Sequence, residues 1–355
     1  MKTMKIIHIA LIAAGLLLSS LGVSDASAQS EPEFIDNPKK LGQTGMQFLT
    51  VPTNPRAAAM AGAMTASETG GALSLFYNPA TMTNMQSTAD VFFAQNQWIA
   101  DINYNQAGAA FKPADGRYGA IGFTFTSVDY GSIQETVRAD NDNGYLDIGT
   151  YTPTAMAIGV GYAKALTNIF DVGGQVKYVT QSLGESPMLM EVDSVTNEVS
   201  YGREGNSVNT LAFDFGVVYR TGFQSLILAM DVRNFSQEIS YRREEFELPL
   251  VFQIGVSMDM FDLANLNDDM HSLYLAVNAS HPRSFAEQIK IGAEYIFAEI
   301  LSLRAGYRAP TDEPEFNAGI GVKKAFGDME FRLDYGYTSF GVFGNINRLG
   351  VGFSF

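Results

Sequence analysis

Apolar and polar residues alternate with a period of two from about residue 89 to the end of the chain. In the closing segment, Leu349, Val351, Phe353 and Phe355 alternate with glycine and serine. Because successive side chains of a strand point to opposite faces, this pattern predicts strands with one apolar and one polar face. We count about fourteen such segments: 89–98, 103–111, 117–128, 153–165, 170–182, 208–220, 225–235, 249–260, 272–281, 287–297, 301–308, 315–326, 329–338 and 346–355.

A closed barrel is the fold that these segments favour. Most are long enough to cross a bilayer when tilted, and closure pairs every backbone group. Because a barrel of this size is too wide for side chains to fill, its apolar face must point outward, to lipid. The sequence therefore predicts an all-β protein, a transmembrane antiparallel β-barrel of about 14 strands over residues 88–355. A soluble β-sandwich or propeller is the alternative, in which the apolar faces would form a protein core.

The connections between these segments fall into two classes. If both chain ends lie on one side of the barrel, the three longest connections, 129–152, 183–207 and 236–248, all lie on the other side. Most connections on the side of the chain ends are tight turns, and the gap near 261–271 is the exception. This sorting of long loops from short turns is typical of outer-membrane barrels.

The N-terminus predicts export. Lys2 and Lys5 precede a short apolar run, and Ala26-Ser27-Ala28 supplies the small residues of a cleavage site. Residues 1–28 are thus predicted to be a cleavable signal peptide, and an uncleaved membrane anchor is the alternative. The polar residues 29–41, with two prolines, are predicted to be a mobile lead-in.

Composition excludes several classes of function. The chain has no cysteine and a formal net charge of −15, which argues against thiolate chemistry and against nucleic-acid binding. Neither His271 nor His281 has a second histidine at metal-ligand spacing. We therefore predict no enzyme activity, no metal and no cofactor.

The polar face of the predicted strands carries both carboxylates and arginines. Pairs of carboxylates could act as catalytic acids, but pairing with the arginines into a structural network inside the barrel is the prediction that we favour. That predicted lumen network contains Glu294, Arg304, Arg332, Asp334 and Arg348.

The chain ends on an aromatic residue in its last predicted strand. Phe355, with Phe353 on the same face, resembles the terminal signal that outer-membrane barrels present to their assembly machinery. Together with the predicted signal peptide, this places the mature protein in the outer membrane of a Gram-negative type of cell, in contact with outer-membrane lipid.

Residues 42–87 lack strand alternation and are rich in alanine, methionine and glycine. Asn54 and Pro55 predict the cap and first turn of a short helix. The runs GQTGMQFLTVPTNPRAAAMAGAMTA and ALSLFYNPATMT resemble the start of the PorV/PorQ family of Bacteroidota-type outer-membrane proteins and, more distantly, FadL-type transporters. The residues that carry this motif are Phe48, Leu49, Asn54, Pro55, Arg56, Met60, Gly62, Tyr77, Asn78 and Pro79.

The motif also departs from the family pattern. Ala61 stands where glycine is usual, and Tyr77 where tryptophan is common. Outside residues 42–87 the chain is similar to the family only as a fourteen-stranded barrel. The motif therefore indicates the superfamily and separates its members poorly.

The resemblance implies that residues 42–87 form a hatch inside the barrel. A PorV-like protein would be a component of type IX secretion, with secretion-machinery proteins and secreted cargo as partners. A FadL-like protein would pass hydrophobic molecules, so its partner would be a hydrophobic ligand. A structural barrel that anchors other envelope components is a third possibility.

Overall fold

The computed structural model describes residues 44–192, 199–241, 244–264, 270–311 and 316–355. The predicted signal peptide, residues 1–28, and the predicted lead-in, residues 29–41, lie outside these ranges. Side chains are described in all of these ranges except at positions 187–192 and 199–201.

Fourteen antiparallel strands form a closed barrel, which confirms the predicted fold class. Around the barrel the strands run in the order β1, β2, β3, β6, β7, β8, β9, β12, β13, β14, β15, β16, β17 and β18, and β18 pairs with β1. The described strands are β1 (Ala89–Gln97), β2 (Asn103–Phe111), β3 (Ala120–Asp129), β4 (Ile133–Arg138), β5 (Tyr145–Tyr151), β6 (Thr154–Ala165), β7 (Phe170–Val192), β8 (Val199–Arg220), β9 (Ile227–Phe235), β10 (Ile239–Tyr241), β11 (Glu244–Phe246), β12 (Val251–Asp259), β13 (His271–Pro282), β14 (Gln288–Phe297), β15 (Leu301–Ala309), β16 (Phe316–Phe326), β17 (Met329–Ser339) and β18 (Asn345–Ser354).

The two ends of the barrel differ. At the end that we call the turn end, residue 88 enters β1, β18 finishes, and tight turns predominate. The last residue completes the closure there, since the Phe355 carbonyl accepts from the amides of Thr88 and Ala89, at 2.7 and 3.1 Å. The Phe355 side chain is exposed, so burial of the ring does not explain why the last residue lies against Thr88 and Ala89.

The opposite end, the loop end, contains more strand than the sequence predicted. The predicted loops at 129–152 and 236–248 contain the hairpins β4–β5 and β10–β11. The predicted loop at 183–207 is largely an extension of the paired strands β7 and β8. The reason is that continued antiparallel pairing satisfies backbone groups that would otherwise need other partners.

An apolar belt surrounds the outside of the barrel. One rung, followed through the strand pairing from β1 to β8, contains Phe93, Ala107, Phe125, Ile158, Tyr178 and Leu211. All the large members of this rung are exposed. The next outward-facing rung toward the loop end is mostly polar: Gln95, Asn105, Ser127, Met156, Thr180 and Asn209. The belt therefore has a sharp upper edge on this wall.

Residues 44–87, which we call the inner segment, lie inside the ring of strands. They contain the helix α1 (Pro55–Ala59) and three 3₁₀ turns, Gln47–Thr50, Ala72–Phe76 and Pro79–Asn84. The other helical pieces are α2 (Met260–Leu263), which lies at the start of the gap near 261–271, and the 3₁₀ turns Ile99–Asp101, Pro113–Gly116 and Gly341–Phe343. Within the described ranges no helix is long and apolar enough to cross a membrane.

Candidate functional site

The inner segment runs through the lumen from one end of the barrel to the other. At the loop end, Thr44 bridges Glu247, and the Gly45 amide donates to the Glu247 carbonyl at 3.0 Å. At the turn end, residue 87 leads into β1. The segment therefore contacts the wall over the length of the lumen.

Glycines of the wall make room for this segment. A Cβ added to any of them would come within about 3 Å of an inner-segment atom, which a real Cβ could occupy only if something moved. The lumen face is therefore shaped to hold backbone at close range. These glycines belong to eleven barrel strands: Gly108, Gly122, Gly161, Gly173, Gly216, Gly255, Gly292, Gly306, Gly319, Gly336 and Gly350.

Helix α1 begins as the sequence predicted. The Asn54 side chain accepts from the amides of Arg56 and Ala57, at 3.0 and 3.2 Å, and Pro55 occupies the first turn. Such a cap satisfies amides that have no partner within the helix. It also fixes the direction in which the Arg56 side chain points away from the helix.

Arg56 joins the inner segment to the wall through a buried ion pair. Its Nη2 lies 2.6 Å from Oε2 of Glu294, and its Nε donates to Oε1 at 3.2 Å. Burial alone disfavours the charge on Arg56, but the Glu294 carboxylate outweighs this, so the pKa of Arg56 lies above its ordinary value. The guanidinium stays charged, and the pair is maintained.

Two further residues of the predicted network complete what we call the Glu294 cluster. Arg304 Nε lies 2.7 Å from Glu294 Oε1, and Arg304 Nη1 lies 2.5 Å from Asp334 Oδ1. The cluster of Arg56, Glu294, Arg304 and Asp334 thus contains two cations and two anions. A buried carboxylate is tolerated when it is paired and hydrogen-bonded in this way.

Arg332 and Arg348 lie away from that cluster. Arg332 pairs with Asp90, which also accepts from Ser354 and from the amide of Ala72 in the inner segment. Arg348 donates to the Pro52 carbonyl and to Thr338, both at 2.7 Å. The structure therefore distributes the predicted network over three separate contacts between segment and wall.

The second half of the motif forms a buried turn. Asn78 is fully buried, its amide donates to the Thr65 carbonyl at 2.8 Å, and its side-chain oxygen accepts from Ala80. Tyr77 is buried beneath the guanidinium of Arg233, 5.5 Å from the ring centre. Burial raises the pKa of Tyr77 to about 12, so the phenol stays neutral.

The remaining motif residues are placed as follows. Phe48 is buried and Leu49 partly buried at the loop end. Met60 is fully buried against Gly292. Gly62 has φ of +76°, a conformation that favours glycine. Pro79 begins the last 3₁₀ turn of the segment. Outside the segment, Phe353 packs against Phe331 at 5.3 Å between ring centres.

Other contacts of the inner segment were not predicted. Asp171 of β7 pairs with Arg220 of β8 at 2.7 Å, and Arg220 also donates to Asn84. Asp231 of β9 accepts from Thr65 at 2.6 Å. These partners are far apart in sequence, and the only signal that could have found them is the presence of charged residues on lumen-facing positions. Within the described ranges no group of three metal-ligating side chains comes together.

Glu68 is the one acidic side chain of the inner segment. It is exposed over part of its surface, but burial of its carboxyl, and after it the nearby charges of Asp259 and Asp262, together raise its pKa to about 7 against the lowering effect of Arg56. Its amide donates to the Tyr274 hydroxyl at 3.2 Å. A proton on Glu68 therefore favours the docked position of this part of the segment.

We expect the docking of residues 66–70 to weaken as pH rises. Because the folded-state pKa lies above the ordinary value, the stabilisation is full below about pH 4.5 and is lost as pH rises through about 7. Amide hydrogen exchange in detergent checks this: the protection factors of residues 66–70, which are corrected for the intrinsic pH dependence of exchange, should be lower at pH 8 than at pH 5.5, and Glu68→Gln should remove the difference. Glu299→Gln is the control and should respond to pH as the wild-type chain does. If Glu68→Gln kept that same pH response, the prediction would be contradicted.

The loop end of the lumen contains an apolar cluster. Met46 and Phe48 of the inner segment pack there against lumen-facing residues of β2, β3, β6, β7 and β8. The buried members of this apolar cluster are Met46, Phe48, Tyr104, Val128, Ala155, Ala157, Val179, Ala212, Ile239 and Leu248. The lumen thus changes from ion pairs near α1 to apolar contacts toward the loop end.

The barrel superposes on hydrocarbon and toluene transporters of known structure. The CymD monoaromatic hydrocarbon channel matches with a TM-score of 0.52 and 13% identity, over 86% of this chain and 98% of the channel. The toluene transporter TodX of Pseudomonas putida matches with 0.54 and 12%, over 85% and 96%. The toluene transporter TbuX of Ralstonia pickettii matches with 0.51 and 14%, over 84% and 96%.

These likenesses define a class of fold. At such low identity they show only that the chain shares the barrel architecture of these channels. No protein-family model and no curated protein sequence matches the chain. Nothing in the comparisons supports the PorV/PorQ assignment or the type IX secretion role.

Proposed function

We propose that this chain is an outer-membrane barrel through which hydrophobic small molecules pass, with the inner segment as its hatch. The exposed apolar belt supports the membrane location, because an aqueous surface rarely carries so much contiguous apolar area. Closure supports it too, since a barrel leaves no backbone edge unpaired in lipid. The shared fold with hydrocarbon channels agrees with the choice of ligand class.

The apolar cluster is the observation that carries this proposal. Its walls are apolar side chains that point into a lumen lined elsewhere by charged and amide groups. Small-molecule sites combine such an apolar lining with a few polar groups. A compound such as toluene would gain the most binding free energy by taking the place of Met46 and Phe48 against the same wall, because its apolar surface would then be buried away from water.

The attachment of the inner segment fits this exchange. Residues 44–51 are joined to the wall by few polar contacts, chiefly Gly45 to Glu247 and Thr44 to Ser284, 2.5 Å between hydroxyl oxygens. Residues 52–87 are fastened by the Glu294 cluster and by hydrogen bonds to two ion pairs of the wall, Asp90–Arg332 and Asp171–Arg220. The first part can therefore move while the rest continues to block water and ions.

Two substitutions with opposite expected effects test the site. Phe48→Ala should strengthen toluene binding to the purified barrel, because it leaves an apolar space that an aromatic ring can fill. Ala157→Trp should weaken it by filling the same space. We expect the two dissociation constants to differ by about tenfold, which is about 1.4 kcal/mol, measured by calorimetry in detergent and by uptake of labelled toluene into cells.

Phe331→Ala is the matched control for this experiment. It removes the same side chain from the outer face, where Phe331 packs on Phe353, and should leave toluene binding unchanged. Equal affinity of Phe48→Ala, Ala157→Trp and the control would show that the apolar cluster is not the binding site.

The long ribbon at the loop end favours a second candidate, the secretion component. β7 and β8 stay paired to Val192 and Val199, well beyond the wall. The ribbon is joined to the β4–β5 hairpin by the pair Arg203–Glu135 at 2.9 Å. Such a surface suits a protein partner. Co-purification of secretion proteins from solubilised membranes, lost when the ribbon tip is deleted, would support this candidate over uptake.

A further inference from the structure

A cleft of about 320 Å³ lies in the wall at the loop end of β3, β6 and β7. None of its lining residues belongs to the inner segment, and two of them, Val128 and Ala155, also belong to the apolar cluster of the lumen. Its lining includes six side chains at outward-facing positions, which alternate along each strand with lumen-facing residues. These six are Ser127, Asp129, Thr154, Met156, Thr180 and Ser182.

The cleft lies just above the edge of the apolar belt. Ser127, Met156 and Thr180 belong to the first rung beyond that edge. Asp129, Thr154 and Ser182 form the following outward-facing rung. In a barrel embedded through its belt, this is the depth at which lipid head groups meet hydrocarbon.

The chemistry of the lining selects the kind of head group. Serine and threonine hydroxyls both donate and accept hydrogen bonds, whereas an ionised carboxylate only accepts. Asp129 is oriented by the Gly131 amide, which donates to its Oδ1 at 2.9 Å. None of the described residues that line the cleft is basic, so an anionic phosphate would meet a carboxylate and no cation.

We propose that the cleft binds the sugar head of a glycolipid. Several sugar hydroxyls would donate to Asp129 and exchange hydrogen bonds with the serine and threonine hydroxyls. The volume is at the lower end for ligand sites, which suits one sugar ring. The acyl chains would lie on the exposed side chains of the rung below, Phe125, Ile158 and Tyr178. This inference rests on the proposed membrane location but not on the passage of hydrophobic compounds.

Native mass spectrometry of the full chain in detergent tests the proposal. A monoglucosyl diacylglycerol and a phosphatidylglycerol with the same acyl chains are offered in equal amounts. We expect the glucosyl lipid to be retained about tenfold more, a difference of about 1.4 kcal/mol. Thr180→Phe, which fills the cleft, and Asp129→Asn, which removes the charged acceptor, should each lower retention of the glucosyl lipid.

Gln95→Phe is the matched control. Gln95 is exposed and belongs to the same rung as Ser127 and Thr180, two strands from β3, so its replacement should leave retention unchanged. Equal retention of the two lipids, or the same loss in Gln95→Phe and Thr180→Phe, would overturn the glycolipid site. Toluene binding separates this result from the proposed function, because Thr180 faces outward and is not a member of the apolar cluster that is proposed to bind toluene.

Discussion

Glu294→Gln is expected to lower the free energy of unfolding by about 3–5 kcal/mol, the usual effect of removing one partner from a buried ion pair. Glu294 is 2% exposed and accepts from both Arg56 and Arg304. Glutamine keeps the shape of the side chain but leaves Arg56 buried without its carboxylate. Urea unfolding in detergent measures the loss.

The same substitution should loosen the inner segment. Arg56 is the only lysine or arginine between residues 44 and 87, so trypsin can cut this segment only at that position. We expect cutting after Arg56 and an increased ion conductance in planar bilayers for Glu294→Gln.

Glu330→Gln is the control for the Glu294 substitution. Its carboxylate lies 3.3 Å from Lys323 and is 32% exposed, and such a pair contributes at most about 1 kcal/mol. Equal stability and equal trypsin resistance of the two variants would show that the Glu294 cluster does not hold the segment.

The barrel strands could be predicted because their two faces meet different surroundings. Outward-facing Phe125 and Ile158 are exposed in the apolar belt, while neighbouring lumen positions such as Thr124 and Ala157 are buried. That contrast must appear in the sequence with a period of two. The closed barrel follows from the number of such segments.

The loop-end hairpins could not be predicted for the opposite reason. In β5, every residue from Tyr145 to Thr150 is exposed, so both faces meet the same surroundings and no alternation is required. Pairing there depends on backbone hydrogen bonds, which the sequence does not display. The extension of β7 and β8 could not be predicted for the same reason.

The candidate site divides along similar lines. The cap of α1 is local, so Asn54 and Pro55 could be recognised from residue types alone. The pairing of Arg56 with Glu294 joins residues 238 positions apart. Arg348 finds a backbone carbonyl of Pro52, a partner that no residue type reveals. Long-range partners are set by barrel register, which alternation alone leaves undetermined.

Gly306→Val is expected to displace helix α1 from the wall. A Cβ at Gly306 would lie 2.5 Å from the Ala59 carbonyl oxygen and 2.6 Å from the Met60 carbonyl carbon. Both atoms belong to backbone, so no side-chain rotation can relieve the contact. Overpacking of a filled interior costs about 1–3 kcal/mol and sometimes more, and we expect about 3 kcal/mol here, with trypsin cutting after Arg56.

Gly205→Val separates this effect from the general cost of valine in a barrel strand. Gly205 lies in the extension of β8, and a Cβ there would meet nothing within 4 Å. Its variant should keep wild-type stability and resist trypsin at Arg56. If Gly306→Val behaved identically, the close approach of wall and segment would not be required, and the ring of lumen glycines would need another explanation. If only Gly306→Val released the segment, the small residues of the wall would be what allows the inner segment to remain inside the barrel.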